Sequence, residues 1–160
     1  NNEPHVTPDG QKLYFGTTRL KPGADRPSYG IWAMNRLNSG WSQPQFATDG
    51  MYVSATHDGS IYLTDISGQT EGGIVKRTLE DGVLKEPVRL GGGVNIPVNG
   101  IHPFIAPDES FLLFDCYRKE GYSHKEIAEV LDISVSTSKT QYSRALYLLN
   151  KQLKDKVYVN

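Results

Sequence analysis

Two patterns of hydrophobic and polar positions divide the chain. From residue 3 to residue 118, short alternating runs recur, each bounded by Gly, Pro, Asp or Asn. Alternation with a period of two is the mark of a half-buried strand, and the bounding residues are turn formers. From residue 123 onward, apolar positions fall three and four apart: Ile127, Ala128 and Leu131, then Val135, Tyr142, Ala145, Leu146, Leu149 and Leu153. That is helical spacing. The expected fold class is mostly β with a C-terminal α segment, divided as residues 1–118 and 119–160.

The strand pattern repeats. Aligning residues 3–19, 52–67 and 102–118 brings Asp9, Asp58 and Asp108 into register with a period of about 50 residues, which points to stacked supersecondary units. In each copy an extended segment meets a turn and an alternating run follows: Leu13 and Phe15, Ile61 and Leu63, then Phe111 and Leu113 with Leu112 and Phe114 between them. Residues 30–36 and 40–47 supply a third and fourth strand to the first copy, and residues 73–79 and 83–91 do so for the second. The third copy stops after its hairpin. Asp9, Asp58 and Asp108 read as turn formers, because an Asp in a tight turn accepts hydrogen bonds from its own backbone, while Gly10 and Gly59 supply positive φ.

Composition marks the same boundary. All nine prolines and fifteen of the sixteen glycines lie in residues 1–118, so the last 42 residues can run as uninterrupted helix. Lys and Arg minus Asp and Glu is 10 − 13 = −3 before residue 119 and 7 − 5 = +2 after it, although the whole chain carries only −1. A polyanion-binding function must therefore reside in the second piece. The single cysteine, Cys116, excludes an internal disulfide and a multi-cysteine metal site. His5, His57 and His102 do not share a spacing, since His57 stands where the other copies have Pro8 and Pro107 and His102 aligns with Glu3. No metal, cofactor or catalytic residue is expected, there being neither a metal-ligand spacing nor a nucleophile-elbow string. The sequence contains no membrane-length apolar run, and it opens without a start methionine or signal-peptide pattern, which reads as a fragment or processed product. The long polar segment 19–29 is either a ligand-contacting loop or a solvated hairpin connection.

In the second piece Ser123 precedes Glu126 by three residues, a capping-box arrangement that predicts a helix through about Leu131. Asp132, Ile133 and Ser134 then form a turn, and Ser134 caps a second helix. Two helices about a three-residue turn are a helix-turn-helix. Centring the apolar stripe of the second helix leaves Ser136, Thr137, Thr140, Arg144, Tyr147 and Lys151 outward, with Lys139, Gln141 and Ser143 on the flanks. Such short polar and basic side chains can meet base edges and phosphates.

Two resemblances follow from these strings. The spacing P-x-x-x-x-D-G-x-x-(L/I)-(Y/F), then G-I-(W/V), then W-x-x-P or K-x-P resembles the TolB-like (WD40-like) β-propeller repeats of bacterial envelope proteins, over residues 3–118. It implies an incomplete propeller of about two and a half blades with open edges, which invite a protein partner or self-association. The string E-G-Y-S-x-x-E-I-A, then L-x-I-S, then T-S-K-x-Q-x-S-R-A, within residues 120–153, resembles region 4 of extracytoplasmic-function RNA polymerase sigma factors. That resemblance implies contact with a −35-type promoter element and with RNA polymerase. It places Lys139, Thr140, Ser143 and Arg144 at DNA, with Ser136, Thr137 and Gln141 in support. The leading expectation is a non-enzymatic DNA-binding segment fused to a partial propeller scaffold, cytoplasmic in that role. The alternative is a periplasmic or envelope interaction or ligand-binding module whose helical tail is structural. The clash of compartments makes a chimeric or truncated product one reading of the junction.

Overall fold

A computed structural model describes residues 2–91, 93–95, 100–116, 123–130 and 132–156. The chain is mostly β with two C-terminal helices, and it divides into two compact units, Asn1–Tyr117 and Arg118–Asn160.

The first unit consists of three successive antiparallel assemblies. The first repeat runs β1 (Asn2–Val6), β2 (Lys12–Arg19), β3 (Ser28–Leu37), β4 (Gly40–Trp41) and β5 (Gln45–Thr48), with sheet order β1, β2, β3, β5 and the short β4 also on β3. The second comprises β6 (Met51–Ala55), β7 (Ile61–Asp65), β8 (Gly73–Arg77), β9 (Leu79–Glu80), β10 (Val83–Leu84) and β11 (Val88–Arg89). Its sheet order is β6, β7, β8, β11, and β9 and β10 form a separate ribbon. The third is the hairpin of β12 (Gly100–Ile105) and β13 (Leu112–Cys116). The described strands form separate sheets and do not close into a barrel.

The three repeats share backbone irregularities as well as sequence. In each, the first strand shifts register, between Asn2 and His5, Met51 and Ser54, and Ile101 and Phe104. In each, a non-glycine residue there has positive φ: Glu3 at 53°, Tyr52 at 57° and His102 at 50°. A bulge with one left-handed residue bends the strand and raises its twist. The hairpin turns are closed by Thr7 N–H to Lys12 O, Thr56 N–H to Ser60 O and Ala106 N–H to Phe111 O. The second turn is thus one residue shorter than the other two. Past the turns, Leu13, Ile61 and Leu112 are equivalent, as are Tyr14, Tyr62 and Leu113, and Phe15, Leu63 and Phe114. The sequence alignment on the aspartates had grouped Phe111 and Leu113 with the leading alternating positions. The register shows that Leu112 and Phe114 hold those places.

Packing of repeat on repeat buries the core. Tyr14 and Ile31 of the first repeat meet Val53, Ala55, Ile61, Leu63 and Val75 of the second. On the other side Tyr62 and Ile74 meet Ile105, with Leu112 and Phe114 against them. Every residue of β7 is buried, including the polar Thr64 and Asp65 at its end. Each seam also carries one hydrogen bond from a first strand to the side chain at an equivalent place in the preceding repeat. The Ala55 N–H donates to His5 Nε2 (3.0 Å) and the Ile105 N–H donates to Ser54 Oγ (3.1 Å). Beyond the alternating pattern, Asn95 is buried and mimics a strand. Its Oδ1 accepts from Ile74 N–H and its Nδ2 donates to Ile74 O, both at 2.8 Å.

Truncating Leu63, which is fully buried, leaves a cavity between two sheets, and Leu63→Ala is expected to lower unfolding free energy by about 2–5 kcal/mol in denaturant titration. The His5 ring must be neutral at Nε2 to accept the Ala55 N–H, and burial lowers its pKa from 6.5. Its contribution is therefore complete above the unfolded value and is lost as pH falls through the lower folded value. The protection factor of the Ala55 amide, taken relative to the intrinsic exchange rate at each pH, should therefore fall as pH drops below 6.5, and His5→Gln should flatten that dependence.

Candidate nucleic-acid interface

The second unit is built from two helices, α1 (His124–Val130) and α2 (Val135–Lys156). The start of α1 is held reciprocally: the Ser123 N–H donates to Glu126 Oε2 (2.9 Å) and the Glu126 N–H donates to Ser123 Oγ (3.3 Å). Both satisfy donors that a helix start leaves without intrahelical partners. The described part of α1 runs to Val130, and the expected end at Leu131 lies outside the described residues. Asp132 has φ of 51°, and the bonds Ile133 N–H to Ala128 O and Asp132 N–H to Glu129 O close the end in the manner of a Schellman motif. Ser134 then caps α2, its Oγ accepting from the Thr137 N–H at 2.9 Å. A helix-turn-helix results, with the turn fixed at both ends by hydrogen bonds that local sequence supplies.

The helices meet through small and polar groups. Ala128 on α1 and Ser138 on α2 are both buried. The His124 ring bridges the pair: its Nδ1 lies 3.1 Å from Ser138 Oγ, and its edge meets the Tyr142 ring at 5.6 Å between centroids. Sequence reasoning missed Ser138, because a serine does not register in an apolar stripe. The available signal was its place three residues after Val135 and four before Tyr142, the spacing that puts all three on one face. The stripe itself differs from expectation. Val135, Tyr142 and Leu146 are 39%, 57% and 43% exposed. The side chains of Ala145, Leu149 and Leu153 lie outside the described residues.

Ser136, Thr137, Lys139, Thr140, Gln141, Ser143 and Arg144 all lie on α2 and all are exposed. Lys139, Thr140, Ser143 and Arg144 stand at relative positions 0, 1, 4 and 5, so they share one side of the helix over about 7.5 Å of its axis. Thr137 is less free than its neighbours, its Oγ1 lying 2.8 Å from Ser134 Oγ at the cap. The turn residues singled out in the first unit are placed differently. Asp9 Oδ1 accepts from Thr7 Oγ1 and the Gln11 N–H, Asp58 Oδ1 from Thr56 Oγ1 and the Ser60 N–H, and Asp108 Oδ1 from the Ser110 hydroxyl and N–H. These bonds hold all three carboxyls below the usual aspartate range, while Gly10 and Gly59 have φ of 70° and 83°.

Residues 116–149 match the family model described as Sigma-70, region 4. The match spans α1, the turn and most of α2, and it covers less than half of the chain. No curated protein and no solved structure matches the chain.

Removing the cap of α2 tests the local basis of this geometry. Ser134→Ala is expected to cost about 1 kcal/mol and to fray the first turn, where Ser136 and Thr137 lie, read as faster amide exchange at Thr137 and Ser138.

Proposed function

We propose that the C-terminal helices are a non-enzymatic DNA-binding module of sigma region 4 type, carried by a partial TolB-like propeller that serves as scaffold. The observation that carries this reading is the match of residues 116–149 to Sigma-70, region 4. The polar and basic side of α2 supports it. In this reading α2 enters the major groove of a −35-type element. Ser136, Thr137, Thr140, Gln141 and Ser143 are the base-edge and sugar candidates, and Lys139 and Arg144 meet phosphates or guanine. RNA polymerase is the protein partner, and the site of action is the cytoplasm. With a local charge of only +2 the module binds weakly alone, in the nonspecific range of about 10⁻⁴ to 10⁻⁶ M.

A second reading is favoured by a different observation. Tyr14 and Tyr62 are buried under the following repeat, whereas their equivalent Leu113 is 41% exposed beside Phe104 and Phe111. This apolar end is what an interrupted propeller arc leaves uncovered, so the first unit is proposed as an interaction or ligand-binding module of the envelope. It engages a protein partner or a second copy at that end.

Fluorescence anisotropy with a −35-like duplex at low salt separates the two. The first reading expects measurable binding, and a salt slope lowered by about 2 in Lys139→Ala plus Arg144→Ala. Absence of binding at low salt, or binding that the double variant leaves unchanged, would count against DNA recognition through α2.

A further inference from the structure

The two seams of the first unit are built alike but finished differently. Where the second repeat meets the third, the Tyr62 hydroxyl donates to Glu109 Oε1 (2.9 Å). The same oxygen accepts from Lys76 Nζ (2.6 Å), and Lys76 also lies 5.6 Å from the centre of the Tyr62 ring. Tyr, Lys and a carboxylate thus close this seam. Glu109 supplies the carboxylate from the left-handed position of its turn, at φ 59°, which costs backbone energy for a non-glycine residue.

The seam between the first and second repeats has the tyrosine and a lysine but lacks the carboxylate. Tyr14 is the register equivalent of Tyr62, and Lys12 Nζ lies 5.8 Å from the centre of its ring. The turn position equivalent to Glu109 is Gly59, as shown by the matching bonds Gly59 N–H to Thr56 O and Glu109 N–H to Ala106 O. The cross-strand partner of Tyr14 is Ala33, where that of Tyr62 is Lys76. Glu109 and Lys76 thus have no counterpart here; Leu79 fills the space beside Gly59, its Cδ2 2.6 Å from where a Cβ would stand, and next to it lies a cavity of about 240 Å³ lined among others by Lys12, Tyr14, Asn35 and Leu79. Tyr14 is 2% exposed, yet no protein group among the described residues hydrogen-bonds its hydroxyl. The Tyr14 hydroxyl is open to the cavity, whereas in the sister seam the same group is satisfied by a carboxylate.

The cavity carries a second chemical feature. Asp9 and Asp58 line it too, and the turns use only their Oδ1 atoms. The lining holds two carboxylates and one ammonium, so a simple anion would meet net repulsion, and an anionic group bound there needs a cationic group attached to it. The volume lies just below the range of drug-sized sites, which suits a smaller ligand.

We propose that the cavity between the first and second repeats binds a small amino-carboxylate, a zwitterion of the size of a free amino acid. The Tyr14 hydroxyl and the Lys12 ammonium receive its carboxylate, and Asp9 and Asp58 offset its ammonium group.

Titration of the full chain with glycine, acetate and methylammonium, followed by amide chemical shifts, tests this. Glycine is expected to move the Tyr14, Asn35 and Gly59 amides, and acetate and methylammonium should bind more weakly. Tyr14→Phe should weaken glycine about tenfold or more. Lys12→Gln should weaken it as well, with folding verified for each variant by its melting transition, and Tyr62→Phe should leave glycine affinity unchanged. The proposal is overturned by absence of response to glycine, by acetate or methylammonium binding as well as glycine, or by a folded Tyr14→Phe or Lys12→Gln that retains full affinity.

Discussion

The strand Ile61–Asp65 is buried on both faces, and the rest of the first unit follows from that constraint. An antiparallel sheet with one wet face alternates apolar and polar residues, but here Ile61 and Leu63 pack to one side while Tyr62 packs to the other. Neither face can be satisfied within its own sheet. The second repeat therefore needs a neighbour on each side, and the first and third repeats supply them. Hydrogen bonds at equivalent places, Ala55 to His5 and Ile105 to Ser54, set the spacing of the inner strands across both seams. Hydrophobic burial drives the stacking, and these directional bonds fix its register.

Small departures within the repeat carry more meaning than the repeat itself. A turn one residue shorter keeps Ile61 and Leu63 in phase with Leu13 and Phe15 despite the offset of the aspartates. Replacing the turn glycine by Glu109 costs backbone strain but completes the seam through Tyr62 and Lys76, with the ion pair partly open to solvent and correspondingly screened. Where glycine remains, at Gly59, Leu79 packs against it, no carboxylate meets Tyr14, and a cavity lies alongside.

The helical unit depends on short-range chemistry instead. Caps at Ser123 and Ser134, and the left-handed Asp132 between them, fix the turn without an extensive core. Between the helices Ala128 and Ser138 are buried, and the His124 ring reaches across to Ser138. Farther along α2, Leu146 and Tyr147 are exposed.

Sequence by itself determined the features that rest on neighbours in the chain. The three hairpins, the strands following the first two, the turn aspartates, the capping box and the helix-turn-helix were all legible because turn chemistry, alternation and capping act within a few residues. The candidate DNA-facing residues were readable in the same way, as one polar side of a periodic helix. The tertiary structure decided what depends on partners 14 to 50 positions apart. It set the true equivalence of Leu112 and Phe114, the burial of Ser138 and Asn95, the acceptor role of His5, and the contrast between Tyr62, which meets Glu109, and Tyr14, which faces a cavity. Those outcomes turn on which side chain arrives opposite another when sheets stack, and no local pattern encodes that.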